Sequence, residues 1–257
     1  FRLKGRVLSE RGEPVANAAV KAEAFYGYAA GTFSGQRIFT AQSNAKGEWS
    51  IGAMQPGIWQ FDANRLGQRP TDGNRFATGL RNSIALTYNP LDGSLYATVH
   101  GRDQLHDGWP DLFTVEKSAE NPGEEMVRID RNADYGWPYC YHDVDRRELV
   151  LAPEYGGNGQ RTGQCSSKTQ ALMAFPGHWA PEGMLFYTSS QFPSEYRGGA
   201  FVSFHGSWNR SPLPQAGFRV VFAPFRLNRP VGTYATFADG FNPTPDAGRT
   251  PRGTHRP

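Results

Sequence analysis

Between His100 and Asp111 the chain reads HGRDQLHDGWPD, which gathers His100, Asp103, His106, Asp107 and Asp111 into one short stretch. Imidazoles and carboxylates so close together could hold a divalent cation or move protons near neutral pH. A helix would bring such residues onto one face; the loop after a strand does not, so a solvated loop that needs no metal accounts for the stretch equally well. DRNADYG, Asp130 to Gly136, imitates the start of an EF-hand loop, but its glycine sits one position late and Tyr141 stands where the closing glutamate belongs. HGSWNRS carries the sequon Asn209-Arg210-Ser211, which has meaning only in a secreted eukaryotic protein. Cys140 and Cys165, the two cysteines, lie in loop-like sequence and read either as a disulfide of an oxidising compartment or as two buried thiols. Two cysteines do not make a four-cysteine zinc site.

The elements that must position these groups read as β-strands. Glycine at 30, proline at 19 and aromatics at 13% favour many short strands joined by tight turns, so the fold class is all-β. Lysine and arginine total 27 against 24 acidic residues and are scattered, which argues against a nucleic-acid partner. No apolar run reaches the roughly 18 residues of a membrane-spanning helix. Phe1 opens directly into the strand-like RLKGRVL, with no initiator methionine or signal peptide, as in a processed or trimmed chain.

Texture divides the chain in two. Residues 1–63 combine alternation in NAAVKAEAFY with turn clusters at SERGEPVAN and SNAKGEWSI, a pattern for a small sandwich of about six or seven strands. Gly5 to Val20, followed by NAKGEWSIGAMQPGIWQFDA, resembles the carboxypeptidase regulatory-like (transthyretin-like) β-sandwich family. The resemblance implies a hairpin turn at Gly12 and Pro14, core positions at Val15, Ala18 and Val20, and a module that packs, spaces or docks a protein partner. From Asn64 onward, Ile84, Leu86 and Tyr88 alternate in SIALTYN, and Leu95, Ala97 and Val99 alternate in SLYATVH across a PLDG turn, which predicts a hairpin. Strand-turn-strand units recur at GMLFYTSSQFP, GGAFVSFHGSW and FRVVFAPFRL, with His-Gly after the strand at His100-Gly101 and His205-Gly206, as in propeller blades. Residues 64–257 would make about four blades at roughly 45 residues each.

RFATGLRN, LYATVHGRD, the run from WPDLFTVEK to DYGWPYCY, LAPEYGG, HWAPEGMLFYTSSQFPSEYRGGAFVSFHGSWNR, GFRVVF and FADGF occur in an order that resembles the glucose/sorbosone dehydrogenase family, on its L-sorbosone dehydrogenase side. That family consists of six-bladed propellers that use pyrroloquinoline quinone (PQQ) and calcium, so the resemblance implies a sugar dehydrogenase that passes hydride to PQQ and electrons to a cytochrome or quinone, in the periplasm or outside the cell. PQQ is a planar tricarboxylate quinone and calls for cations and amide donors. The resemblance assigns Arg81 and Asn82 to its edge, His178 to a place that touches it, one of His205 or Arg210 to a carboxylate, and Arg256 to a further contact. It assigns the backbone of Gly101 and Arg102 to a catalytic calcium, and Glu125 with Tyr135 to a second, structural calcium.

The chain departs from the family at two points. The family's general base is a histidine in a blade well before GLRN, whereas the first histidine here is His100, so no catalytic residue is assigned. The chain also stops at HRP, where relatives continue and close the ring. The expectation is an incomplete propeller, with early blades lost between about Phe61 and Gly73 and the last after Pro257. The competing reading is a non-catalytic propeller module that binds carbohydrate or protein, with Trp109, Trp179 and Trp208 as exposed stacking surfaces.

Overall fold

In a computed structural model, which describes residues 2–26, 35–42, 45–46, 48–52 and 57–242, the chain separates into two compact units. One comprises Phe1–Gln55 with Gln60–Asn74, the other Pro56–Trp59 with Arg75–Pro257. In the first unit β1 (Arg2–Arg6) pairs antiparallel with β4 (Glu48–Gly52), and β2 (Ala19–Tyr26) pairs antiparallel with β3 (Gly35–Gln42). The expected turn forms: Gly12 adopts φ +79, its N–H donates to the Ser9 carbonyl, and Leu8 bridges to Pro14. A side chain at that φ would be strained, so glycine closes this turn. Val15 and Ala18 are half-buried, while the side chain of Val20 lies outside the described residues.

β5 (Ile58–Gln60) and β6 (Asn74–Ala77) form a short two-stranded sheet. The predicted hairpin is β7 (Asn82–Tyr88) with β8 (Leu95–His100), closed by a turn in which Asn89 accepts from Gly93 N–H. β9 (Glu124–Ile129) adds to β8 and β12 (Met173–Phe175) adds to β9, giving a four-stranded antiparallel sheet in the order β12-β9-β8-β7. β10 (Cys140–Asp143) and β11 (Glu148–Leu151) make a separate hairpin. The second large sheet contains β13 (Pro181–Phe186), β14 (Ala200–Phe204), β15 (Arg219–Ala223) and, after the small hairpin β16 (Phe225–Arg226) with β17 (Arg229–Pro230), β18 (Ala235–Ala238). Two short helices, α1 (Leu105–Gly108) and α2 (Val115–Glu120), lie in the connection between β8 and β9.

Alternation along β9 explains the packing of the two large sheets. Val127 and Ile129 point into one cluster with Ala97, Val99 and Tyr135. Met126 points the other way, to Phe175, Val202, Phe204 and Val221. Each such fully buried aliphatic or aromatic side chain contributes roughly 1.5–3 kcal/mol by leaving water. One expectation is corrected here: Trp179 is not an exposed stacking surface but packs in this second cluster, edge-on to Phe204 and Tyr234. Trp109 is half-buried beneath Arg102, and Trp208 is exposed.

Candidate functional site

Antiparallel connection brings the starts of β7, β9, β13 and β15 and the ends of β8, β12 and β14 to the same end of their sheets. Arg81-Asn82, His100 to Asp103, Glu124-Glu125, His178 to Pro181 and His205 all fall there. Local sequence fixes each one. Leu80, buried in the first cluster, anchors Arg81. Gly79 adopts φ +74, and a Cβ on it would lie 2.2 Å from the Asp134 carboxylate and 2.7 Å from Tyr135 N. A residue other than glycine would push the Arg81 strand off the DYGWP turn. That turn is tied back by hydrogen bonds from Tyr135 N to Thr78 O and from Trp137 N to Gly79 O. Arg81 then lies 5.6 Å over the Trp137 ring.

Asp103 stands at the centre of the cluster. Its Oδ2 accepts from Arg81 Nη2 at 3.1 Å; its Oδ1 accepts from Asn209 Nδ2 at 2.7 Å and lies 3.4 Å from His178 Nδ1. Arg81 Nη1 donates to Gly101 O at 2.6 Å. Burial alone would raise the Asp103 carboxyl, but the His178 contact and the Arg81 guanidinium outweigh it and hold it below the usual carboxylate range. His178 is shifted the opposite way: burial would lower it, and Asp103 together with the Ser118 carbonyl raises it. Behind this cluster Glu124 cross-links two loops, accepting Gly101 N–H on Oε2 at 2.9 Å and Ala180 N–H on Oε1 at 3.1 Å. Those loops contain three non-glycine residues at positive φ, Gln104 at 62, His178 at 61 and Ala180 at 54. Each costs about 1–2 kcal/mol in an L-residue, which bonds such as those of Glu124 must offset.

Beneath Arg81 is a cavity of about 20 Å³, lined among others by Gly101, Arg102, Glu125, Tyr135 and His142. The volume suits one water-sized occupant. The strand period explains why Glu125 faces it while Glu124 turns toward Ala180. Burial and the neighbouring Glu124 push Glu125 up to about 8. Burial also holds His142 down to about 4, with both ring nitrogens unpartnered. The sequence had divided Gly101 and Arg102 from Glu125 and Tyr135; the fold brings all four to this one cavity. The Tyr135 hydroxyl is itself engaged, donating to Arg128 O and accepting Asp130 N–H. Among the described residues no group of three or more His, Cys, Asp or Glu side chains is arranged to hold a metal.

The remaining expected residues are placed as follows. Asn82 Nδ2 lies 3.4 Å from His100 Nδ1, and His100 Nε2 is 2.9 Å from Pro181 O. Arg210 is buried, donating from Nε to Pro214 O and from Nη1 to Gly177 O, with Nη2 3.7 Å from Glu120. It therefore supports the His178 loop. His205 Nδ1 is 2.8 Å from Gly206 O, and Arg256 lies outside the described residues. Cys140 and Cys165 form a disulfide that joins β10 to the turn at Gly163–Ser167. Glu124 is a contributor that the sequence did not single out, and Asn209 was marked there only as the start of a sequon. Asp103 was visible there only as one carboxylate among several, because its partners lie far along the chain.

Blade-like antiparallel sheets packed on one another, with a cationic and amide-bearing cluster where their strand ends gather, define an all-β protein of the propeller type. The chain belongs to the TrAA12-like family, whose sequence profile matches residues 48–243. It is 27% identical over 166 residues to an uncharacterized protein of Borreliella burgdorferi, covering 64% of this chain and 38% of that one. It is also 27% identical over 193 residues to the pyrroloquinoline quinone-dependent pyranose dehydrogenase of Coprinopsis cinerea, covering 64% of this chain and 24% of that one. The chain thus spans well under half the length of either relative. Its fold is similar to the calcium structure of the Trichoderma reesei carbohydrate-active enzyme of family AA12, with a TM-score of 0.52 at 16% identity, over 91% of this chain and 69% of that one.

Proposed function

We propose that the protein is a PQQ- and calcium-dependent sugar dehydrogenase that oxidises an aldose or sorbosone-type substrate and passes the electrons to a cytochrome c or a quinone. The observation that carries this reading is the Arg81-Asp103-His178-Asn209 cluster at the gathered strand ends, in a chain whose relatives include a PQQ-dependent pyranose dehydrogenase. The donor set fits the cofactor. The Arg81 side chain is 26% exposed and uses two nitrogens inward, so further N–H donors remain for a carboxylate, and Asn82 and Asn209 supply amides. Glu125 and the segment Gly101-Arg102 line the same cavity, and a carboxylate with backbone carbonyls is the donor set a hard cation would use. Although the Gly101 carbonyl accepts from Arg81, it has a second lone pair for an ion.

When bound, PQQ supplies the hydride acceptor and calcium polarises it. The chain's own residues bind and orient. Arg81 would hold negative charge, His178 packs against Asp103 behind it, Glu124 locks the two loops that carry Gly101 and Ala180, and Arg210 supports the His178 loop from within. A disulfide suits an oxidising compartment, periplasmic or extracellular. The test is to add PQQ and calcium to the full-length protein and follow the quinone absorbance over a panel of aldoses. Reduction by at least one sugar is expected; failure to bind PQQ sinks the reading.

A further inference from the structure

The geometry points to Asp103 as a positioning residue that holds Arg81 and the buried His178 as a pair of cations at the end of the sheets where an anionic, carboxylate-bearing cofactor would bind. This inference rests on the functional reading above. Arg81 is held at two points, the Gly101 carbonyl and Asp103, which sets the plane of its guanidinium. His178 lies between two groups that only accept, Ser118 O at 2.9 Å from Nε2 and the Asp103 carboxylate at 3.4 Å from Nδ1. A carbonyl on one side of the ring and a carboxylate on the other favour hydrogen on both nitrogens, so these surroundings favour the imidazolium. Asn209 donates to the same Oδ1 and stops the carboxylate from rotating away. One carboxylate thereby links residues from the β7 start, the β8–β9 connection, the β12–β13 loop and the turn after β14.

A competing account gives the opposite sign. If Asp103 merely occupied the position of a ligand carboxylate, removing its charge would tighten binding of an anion; if it positions the cations, removal weakens binding. Asp103→Asn keeps the shape of the side chain, and Asp103→Glu keeps the charge. PQQ binding to the full-length protein in calcium, followed by cofactor absorbance, is expected to weaken about tenfold or more in Asp103→Asn and to recover in part in Asp103→Glu. Unchanged or tighter binding in Asp103→Asn overturns the inference. A second readout needs no cofactor: the imidazole ¹⁵N shifts of His178 are expected to report two protonated nitrogens at neutral pH in the wild type and one in Asp103→Asn. Identical His178 shifts in both proteins also overturn it. Should the wild type fail to bind PQQ while the His178 shifts change as expected, the functional reading falls and the Asp103 clamp stands.

Discussion

Arg81 makes two directed contacts from one planar group, to a carbonyl and to a carboxylate. A lysine brings one charge and cannot reproduce that fork. Arg81→Lys is therefore expected to weaken PQQ binding by about tenfold, the equivalent of one charge-assisted hydrogen bond at roughly 1.5 kcal/mol, with little loss of thermal stability. Equilibrium dialysis and a melting curve check both halves. His142 makes a separate residue-scale prediction. Its imidazole is held neutral down to about 4 by burial, while the unfolded chain titrates near 6.5. Between those values the unfolded state binds the extra proton, so stability falls as pH drops through this window, by up to about 3 kcal/mol. Urea midpoints measured across the window should show the slope in the wild type and a flatter line in His142→Gln. Glu125 works the other way. With its carboxyl pushed up to about 8, a cation must displace a proton, so calcium affinity is expected to rise with pH up to that value, as calorimetric titration would detect.

At the scale of elements, the disulfide closes a 25-residue separation and pins β10, whose preceding turn carries Tyr135 and Trp137. Loop-closure entropy for that span is worth about 3 kcal/mol. Cys140→Ser is expected to lose about that much in denaturant unfolding, a loss that reductant reproduces in the wild type. Gly136 adds a steric condition, since a Cβ there would lie 2.8 Å from the Cys140 Cβ. Much of this level was legible beforehand. Alternation in SIALTYN and SLYATVH marked β7 and β8, and the later strand words became β13, β14 and β15. The pairing of β12 with β9 was not legible, because a three-residue strand has too few positions for a period and its partner is remote in sequence. Trp179 was misread for a related reason. Beside the loop residue His178 it looked exposed, but the positive φ at His178 and Ala180 turns the indole into the core.

At the scale of the molecule, the two large sheets pack through Met126 and Phe175 against Val202, Phe204 and Val221, and this contact brings His178 and Pro181 beside Arg81 and His100. The ordered words of the sequence pointed to the right family. Spacing in sequence did not reveal that one carboxylate, Asp103, joins its own segment to three others, or that Gly101, Arg102, Glu125 and Tyr135 share a cavity. Those facts belong to the packing of sheet on sheet. The most direct test of the whole account is the absorbance of PQQ added with calcium to the full-length protein. The account predicts a saturable spectral shift on binding, followed by reduction of the quinone when an aldose is added. A spectrum that remains that of free PQQ, at protein concentrations where the fold is intact, would contradict it.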